Sequence, residues 1–309
     1  MKYFLKFIIL FCATQPLKAT EISPWFGIGN DSFAFSVESL GGQSKTIQYE
    51  PNIPGLSRLG LNAYGFGASV SFRADVKDLD TQKGQSEFSD FQLGYHNTKW
   101  GLDLFYQEYK GFYISNTAAI GGSTNTYYTF PDLQFRHYAL MGRWAFDNQG
   151  FSISNLMNQP EQIKKTAGSY FIIAGVRHHT LESDSSSIIP TQYNGINTDM
   201  DDLRSVRTHS VNLGLGAGKY WVSDSHFFIG AVFDLLGTYG LYSYKLVSSE
   251  FSSSYATISF NLKPGLGYSG ENFRTGVSVS QEMTTLKGLN SSFIKPTANQ
   301  VLIYLRAAF

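Results

Sequence analysis

The sequence predicts an all-β fold, an antiparallel transmembrane β-barrel of 12 strands, with 10 strands as the alternative. Three observations support this prediction. Apolar and polar residues alternate along many segments, short and long connections alternate between those segments, and the last segment ends on an aromatic residue. Because successive side chains of a strand point to opposite faces, one row would face lipid and the other the barrel interior.

The first 19 residues have the pattern of a secretory signal peptide. Lys2 and Lys6 precede a short apolar run, and cleavage is expected after Ala19. The run is too short for a membrane-spanning helix, which needs about 20 apolar residues. Cys12, the only cysteine, lies in this run, so the mature chain is expected to form no disulfide. Lipidation at Cys12 is disfavoured because the bulky Phe11 precedes it. The predicted domains are therefore residues 1–19, a signal peptide, and residues 20–309, a single barrel.

The composition is typical of a lipid-facing sheet. Only 16% of the residues are charged, 16% are aromatic and 30 are glycines. The signal peptide takes three of the 24 basic residues and none of the 24 acidic ones, leaving a slight acidic excess that argues against nucleic acid as a partner. The expected location is the outer membrane of a Gram-negative cell. Membrane lipid and the barrel assembly machinery are the expected partners of a monomer without cofactors.

Alternation defines the predicted strands. It is clear in residues 60–74, where Tyr64, Phe66 and Val70 oppose Gly65 and Gly67. An earlier hairpin, residues 33–38 and 45–50, adds two strands to the ten main segments. The two possible strand numbers, ten and twelve, are both even, as such barrels require. Residues 226–238 are apolar on both faces, which indicates a buried strand or a contact inside the barrel. The ten main segments are residues 60–74, 88–96, 100–113, 134–146, 168–179, 208–222, 226–238, 255–267, 273–282 and 298–309.

The connections have the lengths expected of short inner turns and long outer loops. Long connections are predicted at residues 75–86, 114–130, 180–207, 244–254 and 286–297, and short ones at 97–99, 223–225 and 269–271. Residues 147–166 are the exception, because this long connection lies at the end of the barrel where the other connections are short turns. Pro160 there can begin a short helix across the inner mouth, although an ordinary connection is favoured. Trp100, Trp144 and Trp221 all lie near the short turns, as membrane-interface aromatics do.

Charged residues at inward positions are the candidate lumen lining. If they pair, the barrel is closed. If they line an open path, their mixed signs predict weak selectivity. A barrel of this size accommodates either arrangement, and a plugged or narrow lumen is favoured. The candidates are Asp90, Asp103, Arg143, Arg177, Lys263, Arg274, Glu282 and Arg306.

Two groups of residues are candidate enzyme sites. His209, Ser210 and Asn212 resemble the set of a barrel phospholipase, but neighbouring strand residues face opposite ways, so His209 and Ser210 do not share one site. The outer-rim residues Asp199, Asp201, Asp202, His178 and His179 resemble an omptin-like protease site or a cation site, and a solvated acidic loop is the favoured interpretation.

The predicted function is therefore that of a porin-like outer-membrane barrel without enzymatic activity, either a narrow channel or a structural envelope component. A barrel-embedded hydrolase, phospholipase or protease, at the outer rim is the alternative. A soluble secreted β-sandwich is the third possibility, and it does not explain two strand faces that differ so consistently.

Three stretches resemble an uncharacterised family of bacterial envelope proteins, a domain of unknown function thought to form outer-membrane barrels. The resemblance implies the same fold over most of the mature chain and implies no catalytic residue. The stretches are Tyr49-Glu50-Pro51-Asn52, residues 103–113 ending in Tyr109-Lys110-Gly111-Phe112-Tyr113, and residues 162–169 with Lys164-Lys165-Thr166-Ala167-Gly168-Ser169.

Phe309 is predicted to be part of the assembly signal. It ends an amphipathic segment and resembles the terminal aromatic residue read by the barrel assembly machinery, although Tyr304 stands where that signal usually has glycine and Ala307 where it has a larger apolar residue. Deleting Phe309 should strongly reduce the amount of protein in the outer membrane, measured by fractionation and immunoblotting. Replacing His209 is the control and should leave the amount unchanged. Normal levels of the truncated protein would contradict assembly by this route.

Overall fold

The computed structural model describes residues 22–39, 46–74, 80–97, 99–122, 127–146, 151–152, 155, 161–184, 187–191, 200–283, 285–287, 292–307 and 309. Nearly all regular structure in these ranges is strand, apart from two short 3-10 turns at Thr81–Lys83 and Thr117–Ile120 and the single helical residue Asn155. No helix in these ranges is long and apolar enough to cross a membrane. The strands are β1 (Ser23–Ser39), β2 (Thr46–Glu50), β3 (Leu56–Ala63), β4 (Phe66–Arg73), β5 (Glu87–His96), β6 (Trp100–Ile114), β7 (Thr129–Ala145), β8 (Ala167–Glu182), β9 (Leu203–Val222), β10 (Phe227–Leu246), β11 (Glu250–Ser269), β12 (Phe273–Met283), β13 (Leu286–Lys287) and β14 (Ser292–Ala307).

The sheet closes on itself as an antiparallel barrel. β1 pairs with β14 from Trp25 opposite Arg306 to Ser39 opposite Ser292, and the other neighbours follow in chain order. Among the described residues, β2 and β3 form one interrupted strand and β13 is a two-residue addition at the rim, so the wall has 12 strands. The predicted 12-strand barrel is confirmed, and the β-sandwich alternative is wrong because the sheet has no second layer.

Residues 60–74 are two strands, not the single strand predicted from their alternation. β3 ends at Ala63, and Tyr64 and Gly65 form a two-residue turn with φ of 57° and 77°. Ala63 and Phe66 then pair across the turn and share a face, so the outward row changes from odd to even numbers. The count of 12 stands because the predicted hairpin strand at 45–50 is the first part of the strand that β3 completes. β1 also begins at Ser23, well before the predicted start at Phe33.

A break at residues 51–55 separates β2 from β3. Pro51 and Pro54 have no backbone N–H and so cannot donate to a strand ladder. β3 pairs with the first half of β1, whereas β2 pairs with its second half and, through Tyr49 and Glu50, with β6. At that level the wall passes from β1 through β2 directly to β6, without β3, β4 and β5.

Side-chain hydrogen bonds stabilise the chain around this break. The Asn52 amide donates to the carbonyl oxygens of Asp80 (2.9 Å) and Gly84 (2.7 Å). The Ser86 hydroxyl accepts from the Asn52 N–H and donates to the Gly111 carbonyl, each at 2.7 Å. Gly111 has a φ of 82° at the bulge in β6, where a Cβ would collide with the Gln85 carbonyl. Two of the three stretches that carry the family resemblance therefore meet at this junction.

The outer surface carries an apolar belt on most strands. Aromatic side chains border it at both ends, as in membrane barrels. We call the end with the short turns the turn end and the opposite one the loop end. Trp100, Trp144 and Trp221 lie at the turn end, where the 147–166 connection also begins and ends. Exposed apolar belt residues include Phe26, Ile28, Leu59, Val70, Phe91, Leu104, Tyr138, Val176, Val211, Leu215, Phe233, Leu241, Ile258, Leu262, Val301 and Ile303.

The barrel extends well beyond this belt at the loop end. β9, β10 and β11 each have 20 residues, which at about 3.3 Å per residue and a tilt near 40° span roughly 50 Å along the axis. An outer-membrane apolar band is only about 25 Å tall. The outward residues of β11 change accordingly from Ile258 and Phe260 to Ser254, Ser252 and Glu250. The extension is therefore a water-exposed part of the wall.

A substitution of Phe35 tests whether the interior of this extension is packed. The Phe35 side chain is fully buried and stacks on Tyr49, with 4.6 Å between ring centroids. Phe35→Ala should destabilise the folded barrel by about 3–5 kcal/mol, the usual cost of removing a buried phenylalanine. The loss of stability is measured by denaturant titration, with the folded fraction at each concentration read from the heat-modifiable gel shift. Ser32→Ala, on the outward face of the same strand, is the matched control and should change stability by less than about 0.5 kcal/mol. Equal effects would contradict a packed interior.

Candidate functional site

The inward charged residues predicted from the sequence lie inside the barrel in two groups. Asp90, Asp103, Arg143, Arg177, Lys263 and Glu282 lie in the middle part of the interior. Arg274 and Arg306 lie at the turn end, where they bind backbone and neutral side chains. The first group is the candidate functional site because it decides whether a solute path exists.

Ion pairs in this group reach across the interior. Arg143 of β7 binds Asp103 of β6 (Nη1 to Oδ2, 2.8 Å) and Asp234 of β10 (Nη2 to Oδ2, 3.2 Å). Arg177 of β8 binds Glu282 of β12, which lies four strands further around the wall. Because Asp234 and Glu282 lie on strands that are not adjacent to those of Arg143 and Arg177, these side chains must extend through the space that an open lumen would occupy.

A further ion pair fills the part of the interior next to the short strands β3, β4 and β5. Arg58 of β3 binds Asp90 of β5, and both side chains are almost completely buried. The Arg58 Nε also donates to the Ser71 hydroxyl at 2.5 Å, and its Nη1 donates to the Gln300 side chain at 3.1 Å. Buried charges require this degree of pairing, because an unpaired charge would lose its hydration without compensation.

The space that remains near these charges is small. A cavity of about 140 Å³ is lined by Trp25, Arg58, Asn62, His96, Asp103, Arg143, Lys263, Ser278, Gln300 and neighbouring residues. A water molecule occupies about 30 Å³ in the liquid, so the cavity has room for a few waters. On its wall, His96 Nε2 lies 2.7 Å from Asp103 Oδ1.

Arg274 and Arg306 fasten the turn end of the wall. The Arg274 guanidinium donates to the carbonyl oxygens of Gly270 (3.2 Å) and Glu271 (3.3 Å) in the adjacent turn. Arg306 donates to the Ser23 hydroxyl (2.6 Å) and to the Asn62 side chain (2.8 Å), which lie on neighbouring strands of the wall. These two residues therefore hold the turn end together and take no part in the central pairs.

Three charge-network residues were missed by the sequence analysis. Arg58 lies in β3 two residues before the predicted segment 60–74, so its inward position was not recognised. Asp234 was visible as the single acidic residue in the apolar strand β10, a placement that signals a buried partner. His96, inside the predicted segment 88–96, was not among the candidate lumen residues although it contacts Asp103. Their partners depend on which strands face each other across the barrel, which no local pattern records.

The loop end is filled by an aromatic and aliphatic core. We call this group the outer core, and its packing includes Phe35 stacked on Tyr49 and Phe33 stacked on Tyr109, with 4.4 Å between the ring centroids of the second pair. Ile188, Ile189 and Met200 from the 183–202 connection are fully buried in it. Its members are Phe33, Phe35, Val37, Ile47, Tyr49, Ile53, Tyr109, Phe112, Ile114, Phe130, Leu133, Phe135, Leu181, Ile188, Ile189, Met200, Leu203, Val206, Tyr242, Tyr244, Tyr255 and Ile294.

The 183–202 connection is anchored in the outer core. The Tyr49 hydroxyl donates to the Ile188 carbonyl at 2.7 Å, and the Ile188 N–H donates to the Leu203 carbonyl at the same distance. Both bonds lie inside the wall. The described part of this loop therefore folds inward and covers the loop end from above.

A second apolar group fills the turn end. Phe151 and Ile163 of the 147–166 connection are buried against Phe171, Phe228 and neighbouring residues. The Phe151 ring stacks on Tyr220 at 5.1 Å, in space left by Gly218, where a Cβ would collide with it. The apolar inward face of residues 226–238 is thus explained by a contact inside the barrel.

The short helix considered from Pro160 can be compared with the structure only over residues 161–165. Residues 161–165 are irregular, and Pro160 lies outside the described residues. The Ile163 N–H donates to the Ser269 hydroxyl at 2.7 Å, and the Gln162 amide donates to the Ser269 carbonyl at 3.2 Å. These bonds tie the third family-resembling stretch to β11 and hold the connection across the turn-end mouth.

The residues weighed as enzyme sites are not brought together. His209 is exposed on the outer face of β9, while Ser210 and Asn212 are buried. His178 is also on the outer face, stacked on His209, whereas His179 faces inward and stacks on His137. Asp199 lies outside the described residues. Within the described ranges no group of three or more histidine, cysteine, aspartate or glutamate side chains is placed to hold a metal ion.

Comparison with solved structures finds bacterial outer-membrane barrels. The outer membrane protease OmpT from Escherichia coli matches with a TM-score of 0.43 and 8% identity, over 96% of this chain and 100% of that one. The P. putida toluene transporter TodX gives 0.30 and 8%, over 96% and 91%. The β domain of the Bordetella autotransporter BrkA gives 0.35 and 15%, over 92% and 98%. None of these likenesses bears on activity.

Comparison with curated proteins finds no match. A family model described as a domain of unknown function, DUF4421, matches residues 26–304, which include all three stretches that carry the resemblance. Since this match covers nearly the whole chain, the protein belongs to the DUF4421 family.

Proposed function

We propose that the protein is an outer-membrane barrel with a closed interior, and that it serves as a structural component of the envelope rather than as a channel. The observation that carries the proposal is the outer core, which fills the loop end with buried aromatic and aliphatic side chains. A solute pore needs polar groups or water along its path. An aromatic core that excludes water offers neither.

The apolar belt supports placement in a membrane. Outward residues such as Val211, Leu213 and Leu215 are more than half exposed, which is costly in water and favourable in lipid. The aromatic residues bordering the belt match the interfacial girdles of outer-membrane barrels. Membrane lipid is the partner that this surface requires, and we propose that the barrel assembly machinery inserts the chain as a monomer.

The interior charges support closure independently of the outer core. Arg58, Arg143, Arg177 and Lys263 are matched in number by Asp90, Asp103, Asp234 and Glu282. A selectivity filter would present an excess of one sign toward the permeating ion. Balanced charges joined across the lumen instead hold strands together, and the cost of breaking one buried pair makes the arrangement rigid.

We further propose that the barrel has no catalytic activity of its own. Each candidate set is divided between the outer and inner faces of the wall, so a nucleophile and its base do not lie within hydrogen-bonding reach. This part of the proposal rests on His209 and Ser210 and on His178 and His179.

Single-channel recording tests closure directly. Purified protein refolded into a planar bilayer should show no steady conductance, while a heat-modifiable gel shift confirms that the same preparation contains folded barrel. A general porin inserted into the same bilayer is the control for the recording. Steady conductance steps that scale with the amount of folded protein would overturn the closed interior and restore the narrow-channel alternative.

A further inference from the structure

The charged residues inside the barrel are equal in number but are not paired one to one. Arg143 binds two carboxylates, those of Asp103 and Asp234, while the other two arginines of the central group bind one each. The fourth cation, Lys263, has no ion-pair or hydrogen-bond partner among the described residues. An ammonium group inside a protein that lacks a partner loses hydration without compensation. Lys263 therefore indicates a partner that the chain itself does not provide.

Lys263 is on the inward row of β11 and faces the cavity of about 140 Å³. Three cationic side chains line this cavity, Arg58, Arg143 and Lys263, against one carboxylate, that of Asp103. Both oxygens of Asp103 are already bound, one to His96 at 2.7 Å and the other to Arg143 at 2.8 Å. The cavity surface therefore carries an excess of positive charge, because the other acids of the central group do not line it.

The neutral side chains of the lining also offer mainly hydrogen-bond donors. The Gln300 oxygen accepts from Arg58 Nη1 at 3.1 Å, and the Asn62 oxygen accepts from Arg306 Nη2 at 2.8 Å. Because arginines hold these two oxygens, the two NH₂ groups are left for a ligand. Gln92 is the exception, since its NH₂ group donates to a carboxylate and its oxygen is left. A ligand that fits this lining accepts hydrogen bonds and carries negative charge.

The cavity is blind and adjoins the turn end. A smaller space of about 30 Å³ shares His96 and Arg143 with it and is also lined by Asn97 and Lys99 beside the turn between β5 and β6. The outer core closes the opposite end of the barrel. A water molecule occupies about 30 Å³ in the liquid, so the larger cavity has room for about four or five groups of that size. A phosphate ion or a short carboxylate has these dimensions.

We propose that this cavity binds one small oxyanion, phosphate or a short carboxylate, which enters from the turn end. Lys263 is its ionic partner, and the NH₂ groups of Gln300 and Asn62 donate hydrogen bonds to it. Hydrogen bonds from a cation to an oxyanion are roughly twice as strong as those between neutral groups. The anion supplies the counter-charge that Lys263 lacks. This binding function goes beyond the proposed structural role and requires no path through the barrel.

Equilibrium dialysis of the purified, folded protein in a neutral detergent tests the proposal. The probes are radiolabelled inorganic phosphate and radiolabelled acetate, each at constant ionic strength set with sodium chloride. We expect saturable binding of one anion per barrel, and the anion that binds more tightly identifies the class of the ligand. Lys263→Met should weaken binding about tenfold or more, because it removes a charge-assisted hydrogen bond. Lys219→Met, at an exposed outward position near the turn end of β9, is the matched control and should bind as the wild type does.

Stability measurements separate a ligand site from an internal ion pair. In buffer without phosphate or carboxylate, Lys263→Met should be at least as stable as the wild type, because the substitution removes an unpaired charge. Phosphate should raise the denaturant midpoint of the wild type saturably, relative to chloride at equal ionic strength, and should leave that of Lys263→Met nearly unchanged. Reduced stability of Lys263→Met without any effect of phosphate would show that Lys263 pairs with an acid of the chain, and would overturn the proposal.

The remaining outcomes also decide between site and no site. A folded wild-type barrel that binds neither anion saturably, or a Lys263→Met variant that binds as tightly as the wild type, overturns the anion site and leaves the structural function standing. Loss of binding in Lys219→Met would place the anion on the outer surface and overturn the site as well. The heat-modifiable gel shift of each variant confirms that folded protein is compared.

Discussion

The structure depends on pairing every backbone N–H and C=O in the wall. Within a membrane no water is present to satisfy these groups, so the sheet must close, and the seam between β1 and β14 does this along nearly the full length of both strands. Pro51 and Pro54 interrupt the wall next to this seam. Asn52 and Ser86 supply replacement hydrogen bonds, and β2 crosses to β6. The fold therefore tolerates one break because side chains compensate for it locally.

The break at residues 51–55 determines how the inward side chains pack at the loop end. Because β2 joins β1 directly to β6, the loop end has a shorter circumference than the belt, and its inward side chains meet as a core instead of facing a lumen. Phe33 and Phe35 of β1 pack against Tyr109 and Phe112 of β6, and Tyr49 of β2 stacks on Phe35. At the turn end, Phe151 and Ile163 are supplied by a connection that folds into the mouth. The most buried ion pairs between these apolar groups, Arg58 with Asp90 and Arg143 with Asp234, have little contact with water, which strengthens each pair and raises the cost of breaking it.

Local sequence patterns predicted the strands of the barrel wall well and the side-chain contacts inside the barrel poorly. Alternation located most strands and the inward position of residues such as Arg143, since side-chain direction depends only on the strand itself. It failed at Tyr64 and Gly65, because a two-residue turn keeps the spacing of apolar residues nearly regular while reversing the chain. The partners of Arg143 and Arg177 were beyond prediction, because they depend on which strands face each other across a closed ring. The cavity beside Lys263 was missed for the same reason, since its lining comes from most of the strands around the ring.

Water access to the interior tests the account most directly. A chain beginning at residue 20 has no cysteine, so single cysteines introduced at Ser259 and Ser254 of β11 report on its two faces. Ser259 is buried and inward, and Ser254 is exposed and outward beyond the belt. With the folded protein in nanodiscs, a charged thiol reagent should label Ser254→Cys rapidly and leave Ser259→Cys protected until the barrel is unfolded. Comparable labelling of both positions in the folded state would show a water-filled lumen and contradict a closed interior.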